Sequence, residues 1–231
     1  MPGGVEGRKL GVFPSSSYPI CSHDVLRRVD RRCLFFHDTG MAKTEIRSIA
    51  SPVLNSSRLI LRPFTLSDAP ALFSWASDPE VTAYLRFPAH TSVQDSQRII
   101  RHWIESDRHP PFFHWALEVR EDFRVIGSIG IEISSLQDNR GEIGYCIAKE
   151  AWNQGYATEA LSIVLRFAME QAGFHRIEAC HAEGNTASKR VMEKAGMIHE
   201  AGPLHHYYRS DILGYQNVHM FALTSDTYRT R

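Results

Sequence analysis

Three consecutive segments of alternating apolar residues between residues 115 and 147 constrain the fold of this chain more than any other feature. Their apolar positions are Trp115, Leu117 and Val119, then Val125, Ile129, Ile131 and Ile133, then Ile143, Tyr145 and Ile147. A period of two is typical of strands that bury one face. Because the linkers at 121–124 and 137–141 are short and turn-like, the pattern predicts an antiparallel meander.

A helix is predicted directly after this meander. Its apolar residues recur at helical spacing, from near Tyr156 to near Gly173, and the glycine can end the helix. Before the meander, the sequence predicts a strand at Leu59–Arg62 and two helices. Thr65 or Ser67 can cap the first of these helices, and the second runs from about Val93 to Asp107, before Pro110-Pro111.

The remainder of the chain continues the mixed pattern. We expect a strand around Arg176–His181, a short helix around Ala187–Lys194 that Gly196 ends, and a final pair of strands that ends near Leu223. The predicted fold class is therefore α/β. It has a mixed, mostly antiparallel sheet of six to seven strands with helices on both faces.

Composition excludes several classes of protein. The chain has 231 residues, 43% of them hydrophobic and 23% charged, which predicts one packed globular domain. A formal net charge of zero gives no indication of a nucleic-acid or membrane partner. No apolar run reaches about 18 residues, so no transmembrane helix is predicted. The four cysteines, Cys21, Cys33, Cys146 and Cys180, form no C-x-x-C pair, which fits a reducing compartment. We therefore expect a cytoplasmic protein.

The first 55 residues lack sustained periodicity and predict a leader outside the domain. A disordered extension, a targeting peptide and upstream sequence before a true start at Met41 all fit, although four acidic residues count against a transit peptide. The folded domain is predicted at residues 57–224, and residues 225–231 are predicted to be a C-terminal tail.

The junction between the third meander strand and the next helix is the most informative motif. It reads Trp152-Asn153-Gln154-Gly155-Tyr156-Ala157-Thr158-Glu159-Ala160. Unpaired N–H groups and the positive dipole end of a helix favour an anion such as pyrophosphate, and small residues at 155 and 157 permit its close approach. The same residues also fit a tight turn with no ligand, and they match neither a Walker A loop nor a dinucleotide fingerprint.

Three separated stretches, taken in order, resemble the GNAT N-acetyltransferase superfamily. They are residues 142–145, residues 153–160, and Glu183-Gly184-Asn185-Thr186-Ala187-Ser188 followed by Ala195-Gly196-Met197. The resemblance covers roughly residues 57–224. Within the superfamily the sequence is similar to the ribosomal-protein-alanine (RimJ/RimL-like) branch, which implies the GNAT fold and transfer of acetyl from acetyl-CoA to an amine.

The resemblance also implies which residues bind acetyl-CoA. In the phosphate loop of the family, Trp152 stands where Gln or Arg is usual, and Gly155 and Ala157 match its last two small positions. The implied cofactor-binding residues are Tyr145, Cys146, Ile147, Trp152, Asn153, Gln154, Gly155, Tyr156, Ala157, Thr158, Asn185 and Ser188. Cys146 offers its main chain and is expected to be an inert buried thiol, while Asn185 can bind pantetheine, cap the next helix, or do both.

Two residues are the candidate catalytic groups. Strand alternation places Glu142 with Gly144 and Cys146, on the face opposite Ile143, so Glu142 is the first candidate base; a solvated surface glutamate is the alternative. By resemblance, Ser188 is the candidate hydrogen-bond donor to the thiolate. The hairpin at 203–208 lacks the carboxylate that some relatives carry, and His205 or Tyr208 could replace it or line the acceptor groove.

The acceptor and the partners follow only in outline. A protein N-terminal α-amine is the expected acceptor, with a small-molecule amine (polyamine or amino sugar) or a non-catalytic acyl-CoA-binding domain as alternatives. The residues expected near the acceptor are Trp103, Phe112, Phe113, His205, His206 and Tyr207. No metal site is expected, because no H-x-x-x-H or Cys/His cluster occurs, and either a monomer or a homodimer fits.

Overall fold

Eight strands form a single sheet in the computed structural model, which describes residues 50–106 and 112–230. The strands are β1 (Leu54–Asn55), β2 (Leu59–Arg62), β3 (Phe112–Val119), β4 (Val125–Ser135), β5 (Arg140–Ile147), β6 (Arg176–Ala182), β7 (Ile198–Ser210) and β8 (Gly214–Thr224). Their order is β1-β2-β3-β4-β5-β6-β8-β7. Only the β5–β6 pair is parallel, which confirms the mixed, mostly antiparallel sheet.

The helices are α1 (Ala69–Ala76), α2 (Pro79–Thr82), α3 (Val93–Ser106), α4 (Tyr156–Phe167), α5 (Thr186–Lys194) and α6 (Ser225–Arg229). A π turn at Ala168–Ala172 continues α4, and Gly173 then adopts a left-handed φ of 84° that ends it, as the sequence predicts. Thr65 caps the short 3-10 turn before α1 and forms a capping box with Asp68.

The sheet has one strand more than the predicted six to seven, and the additional strand is the short β1. Leu54 and Asn55 pair antiparallel with Leu61 and Ile60 of β2. Two residues are too few to show alternation, so no sequence pattern marks this strand. The four-residue helix α2 is absent from the sequence prediction for the same reason.

Helices cover both faces of the sheet. Alternation along β5 places Ile143 and Ile147 in the larger core, against α4 and α5, and Cys146 against the smaller core that α1 and α3 complete. The predicted division of β5 into two faces is therefore confirmed. It positions Glu142 on the α1/α3 side of the sheet.

The sheet opens between β5 and β6. These strands pair only from Arg140–Glu142 to Arg176–Glu178, whereas β5 continues to pair with β4 as far as Ile147. Beyond Glu142 the two parallel strands diverge, so residues 143–147 of β5 have no strand partner on the β6 side within residues 50–106 and 112–230. An open strand edge with unpaired main-chain groups results, in the middle of the sheet.

Residues 50–55 and 225–229 contact the rest of the domain. Ser51 Oγ accepts a hydrogen bond from the His114 amide at 2.9 Å, and the Trp115 indole donates to the Pro52 carbonyl at 2.7 Å. α6 occupies most of the predicted C-terminal tail. The rest of the predicted leader, with Cys21, Cys33 and Met41, lies outside the described residues, as do Pro110 and Pro111.

Candidate active site

The loop before α4 has the backbone geometry of an anion-binding turn. Asn153 and Gly155 both adopt left-handed conformations, with φ of 58° and 82°, and α4 begins at Tyr156. No side chain caps this helix at Gly155, in contrast to α5. The first amides of α4 therefore lie at an end that an anion can occupy.

Position 155 requires glycine because of its backbone conformation, and less because neighbouring atoms would crowd a side chain. A Cβ placed on it would meet only Arg58 Nη2, at 3.4 Å, but a φ of 82° strains any residue with a side chain. The sequence reasoning attributed this glycine to the space that phosphate needs. The structure adds that the turn itself requires it.

A cavity of about 470 Å³ extends from this loop along the open edge of β5. Every cofactor residue predicted from the sequence lines it except Gln154. The side-chain amide of Gln154 donates to the main-chain carbonyl of Glu150 at 2.8 Å. The main-chain carbonyl of Gln154 accepts a hydrogen bond from Arg58 at 2.9 Å. Trp152 lines the cavity and donates from its indole to the Ile147 carbonyl at 2.7 Å, which joins the loop to the end of β5.

A second cavity of about 170 Å³ lies on the α1/α3 side of the sheet. Its lining includes Glu142, Gly144, Tyr208 and the aromatic residues Trp75, Phe87, Trp103 and Phe112. The two cavities share Tyr84, Leu85, Tyr145, Cys146, Asn185 and Ser188. They therefore meet at the divergence of β5 from β6, which gives two ligands access to one point from opposite sides.

Glu142 is buried at this junction rather than solvated. Its side chain lines the smaller cavity, the residue is only 9% exposed, and Oε1 has no hydrogen-bond partner among the described residues. Burial raises the pKa of Glu142 to about 9, although Arg86 opposes the shift. The alternative of a surface glutamate is excluded, and the carboxyl carries a proton at neutral pH.

Glu132 lies directly opposite Glu142 on β4. Its Oε2 is also buried without a hydrogen-bond partner in the described part of the chain, and burial raises the pKa of Glu132 to about 7. Two adjacent carboxyls in a poorly solvated place cannot both ionise without a nearby cation. Arg86 is one cation near both carboxyls and offsets the effect of burial only in part, so this side of the site can receive a second positive charge.

Ser188 and Tyr145 form a pair of hydroxyl groups where the cavities meet. The Tyr145 hydroxyl oxygen lies 2.9 Å from Ser188 Oγ and donates to the Ser188 carbonyl at 3.2 Å. Burial raises the pKa of the Tyr145 phenol well above its ordinary value. The sequence resemblance implies that Tyr145 binds the cofactor, and this hydroxyl contact with Ser188 is an addition to that prediction.

Asn185 and Cys146 have identifiable structural roles. Asn185 Oδ1 accepts from the Ser188 amide at 3.1 Å and so caps α5, while the residue also lines both cavities. Burial raises the pKa of the Cys146 thiol to about 12, so the thiolate needed for a nucleophile is not populated at neutral pH. The described residues contain no group of three or more His, Cys, Asp or Glu side chains arranged to hold a metal.

The acceptor-side predictions are only partly correct. Trp103 and Phe112 line the smaller cavity, whereas Phe113 points to the opposite face and packs against Phe167 in the core. His205 and His206 are exposed and line neither of the two cavities. Strand alternation excludes Phe113 from the cavity, because its neighbour Phe112 lies on the face that lines the cavity.

Arg86 is the main site residue that sequence reasoning missed. It lines the smaller cavity, its guanidinium lies 4.7 Å from the ring centre of Tyr208, and burial lowers its pKa. The Tyr208 hydroxyl donates to the Tyr84 carbonyl at 2.7 Å and connects β7 to this segment. Residues 83–92 have no helical or strand period, so no sequence signal placed Arg86 in the site.

Comparison with known proteins identifies the class to which this fold and two-cavity site belong. A model of the acetyltransferase (GNAT) domain matches residues 58–198. The chain therefore belongs to the GNAT family of N-acetyltransferases, which use acetyl-CoA as acetyl donor. No helix in the described part of the chain is long and apolar enough to cross a membrane.

Individual relatives agree with this assignment. The chain is 34% identical over 156 residues to the uncharacterised N-acetyltransferase YoaA of Bacillus subtilis (strain 168). This match covers 68% of this chain and 88% of YoaA. The ribosomal-protein-S5-alanine acetyltransferase of Vibrio fischeri shares the fold, with a TM-score of 0.68, 16% identity and coverage of 76% and 98%. A chimeric spermidine N-acetyltransferase SpeG from Vibrio cholerae and hSSAT does too, with a TM-score of 0.64, 18% identity and coverage of 76% and 100%.

Proposed function

We propose that this protein transfers acetyl directly from acetyl-CoA in the larger cavity to an amine in the smaller cavity, without an acyl-enzyme. The observation that carries this proposal is the junction of the two cavities at Tyr145, Cys146 and Ser188. Direct transfer needs both substrates at one point, and it is favoured when the reacting atoms are held close together.

The larger cavity suits the two chemically different parts of acetyl-CoA. The start of α4 and the loop before it would bind the pyrophosphate through backbone amides. The open edge of β5 at residues 143–147 would pair with the amides of the pantetheine arm, as a peptide strand would. This pairing would direct the thioester towards Ser188.

Glu142 is the proposed proton acceptor for the amine. An ordinary glutamate, with a pKa of about 4.3, is far too weak to deprotonate an ammonium group, whereas a pKa of about 9 is close to that of an α-amine at about 8. Transfer of one ammonium proton to ionised Glu142 is then nearly balanced in free energy. The neutral amine can attack the thioester carbonyl.

Ser188 completes the proton balance of the proposed reaction. Formation of the C–N bond leaves a second acidic proton on nitrogen, and cleavage of the C–S bond releases a thiolate with a pKa of about 8.5. The Ser188 hydroxyl would donate a hydrogen bond to the sulfur and pass that second proton to it. Tyr145, at 2.9 Å from Ser188 Oγ, would hold the hydroxyl in place.

We further propose a protein N-terminal α-amine as the acceptor, within the RimJ/RimL-like branch. The sequence resemblance to that branch and the fold of the Vibrio fischeri ribosomal-protein acetyltransferase support it. A small cationic amine is the second candidate, which the buried Glu132–Glu142 pair favours. The spermidine acetyltransferase has the same fold.

The acceptor can be tested with the full-length protein. Purified protein is incubated with acetyl-CoA and, separately, peptides with a free or blocked N-terminus, spermidine, and glucosamine, while thiol release and acetylated product are measured. We expect the highest kcat/KM with free N-terminal peptides. A preference for spermidine would move the assignment to the second candidate, binding of acetyl-CoA without turnover of any amine would indicate a non-catalytic domain, and absence of binding would refute the proposal.

A further inference from the structure

Arg58, the residue directly before β2, contacts three residues of the loop and helix that line one end of the larger cavity or adjoin it. Its Nη1 donates to the Gln154 carbonyl at 2.9 Å. Its Nε and Nη2 lie 2.7 and 2.6 Å from Glu159 Oε2, and its guanidinium lies 4.6 Å from the ring centre of Tyr156. One side chain from a distant part of the sequence thus joins the loop to the first turn of α4.

The loop needs such a contact because its backbone conformation is unfavourable. Asn153 adopts a left-handed φ of 58°, which costs free energy for a residue with a side chain, and Gly155 follows with a φ of 82°. α4 also lacks a capping side chain at Gly155. The hydrogen bond from Arg58 to the Gln154 carbonyl holds the residue between these two left-handed positions.

Arg58 also counters a charge that would oppose an anion. Glu159 lies in the first turn of α4, where a carboxylate suits the helix dipole but repels a phosphate at the same helix end. Arg58 binds this carboxylate with two nitrogens, and Arg58 Nη2 is the nearest atom to a Cβ built on Gly155, at 3.4 Å. The guanidinium therefore lies beside the place where the phosphates would bind.

We propose that Arg58 is a positioning residue for acetyl-CoA, which holds the 153–156 loop in its binding conformation and neutralises Glu159. This inference rests on the proposed role of the loop in phosphate binding. It assigns Arg58 to cofactor affinity and not to the chemical step, because the contacts of Arg58 described above lie at the loop and the start of α4.

The test compares variants of the full-length protein by calorimetry with acetyl-CoA and by steady-state kinetics. Arg58→Gln removes the charge and the contact of two guanidinium nitrogens with Glu159 Oε2, and we expect its Kd and KM for acetyl-CoA to rise roughly five- to tenfold. Its kcat at saturating acetyl-CoA and its KM for the acceptor should stay within about twofold of wild type. Arg58→Lys should recover part of the affinity, since it restores the charge without the planar fork.

Arg62, the last residue of β2, provides a matched control four residues along the chain. It also binds two carboxylates, Asp68 at 2.8 Å and Glu118 at 2.7 Å, but at the start of α1, away from the loop. Arg62→Gln should lower thermal stability and leave the Kd for acetyl-CoA unchanged. The double variant Arg58→Gln/Glu159→Gln should bind acetyl-CoA more tightly than Arg58→Gln alone, because the uncompensated carboxylate is gone.

The outcomes separate this inference from the proposed function. An unchanged Kd in Arg58→Gln, an equal rise in Kd for Arg62→Gln, or no recovery in the double variant would overturn the role of Arg58, even if the wild type binds acetyl-CoA. A wild-type protein that binds no acetyl-CoA would instead refute the proposed function itself.

Discussion

At the residue scale, the protonation of Glu142 determines how the site can work. In the free protein at neutral pH, its carboxyl is protonated, because burial raises the pKa of Glu142 to about 9. The reactive complex is favoured when Glu142 and the amine share one proton. With two protons no neutral amine is present, and with none the ionised, buried Glu142 would oppose the negative charge that develops on the thioester oxygen. The complex with one proton forms either from the ionised carboxyl and the ammonium, or from the protonated carboxyl and the neutral amine, and these two complexes interconvert by moving that proton.

The first prediction is a bell-shaped pH dependence of kcat/KM. With an α-amine acceptor, the single-proton state is most populated between the amine pKa of about 8 and the Glu142 pKa of about 9, so kcat/KM should peak there and fall on both sides. In Glu142→Gln, the alkaline fall should disappear and leave a plateau above about pH 8. Identical profiles for the two proteins would show that Glu142 does not exchange a proton with the substrate.

The second prediction concerns the Ser188 hydroxyl group, whose oxygen lies 2.9 Å from the Tyr145 hydroxyl oxygen. Ser188→Ala removes the donor to the sulfur, and kcat should fall by roughly tenfold or more with an unchanged Kd for acetyl-CoA. Ser162→Ala is the control, since Ser162 is exposed on α4 and its hydroxyl donates only to the Thr158 carbonyl at 2.8 Å. A normal kcat in Ser188→Ala would remove Ser188 from the mechanism.

At the element scale, the start of α4 is where the proposed binding of phosphate can be tested without disturbing the loop. Replacing Gly155 with glutamate would block phosphate but also strain the turn, because φ at Gly155 is 82°. A loss of binding in that variant would therefore not separate blocked phosphate from a distorted turn. Ala157, inside the first turn and lining the larger cavity, is the better position.

The third prediction is that Ala157→Glu prevents acetyl-CoA binding. The new carboxylate would stand at the helix end that the phosphates need, so we expect at least about a hundredfold rise in Kd. Ser162→Glu adds the same charge to an exposed site on the same helix and should bind acetyl-CoA nearly as well as wild type. Calorimetry on both variants decides between a specific block and a general charge effect.

The elements differ in how well the sequence predicts them, for physical reasons. Strands β3 to β5 direct their large apolar side chains to the larger core and mostly small or polar ones to the other face, and α4 buries one face, so their periods identify them. The conformation of Gly173 confirms where the helical stretch ends. The segment with Arg86 has no period because several different elements contact it. Its position is set by long-range packing that a local pattern does not record.

At the scale of the whole molecule, the buried carboxyl of Glu142 affects stability as well as the proposed reaction. Its pKa is about 9 in the folded protein and near the ordinary value of 4.5 in the unfolded chain, so the folded state holds a proton that the unfolded state loses. The contribution of Glu142 to stability is therefore fully present below about pH 4.5 and declines as the pH rises towards 9.

The fourth prediction follows from this linkage. Glu142→Gln cannot ionise, so its Tm relative to wild type should increase from pH 6 to pH 9, by at least about 2 °C over that range. The Tm difference between the proteins should be smallest at the acid end. Thermal denaturation at several pH values measures it, and a difference that does not change with pH would mean that the carboxyl is ionised in the folded protein.

The short β5–β6 pairing also has a mechanical consequence. Five strands lie on one side of it and three on the other, and only three residue pairs join these halves within the sheet. A pantetheine arm bound along the open edge would add contacts between these two parts of the sheet and restrict their relative motion. Hydrogen–deuterium exchange should then slow on both halves when acetyl-CoA binds, including amides that the cofactor does not touch.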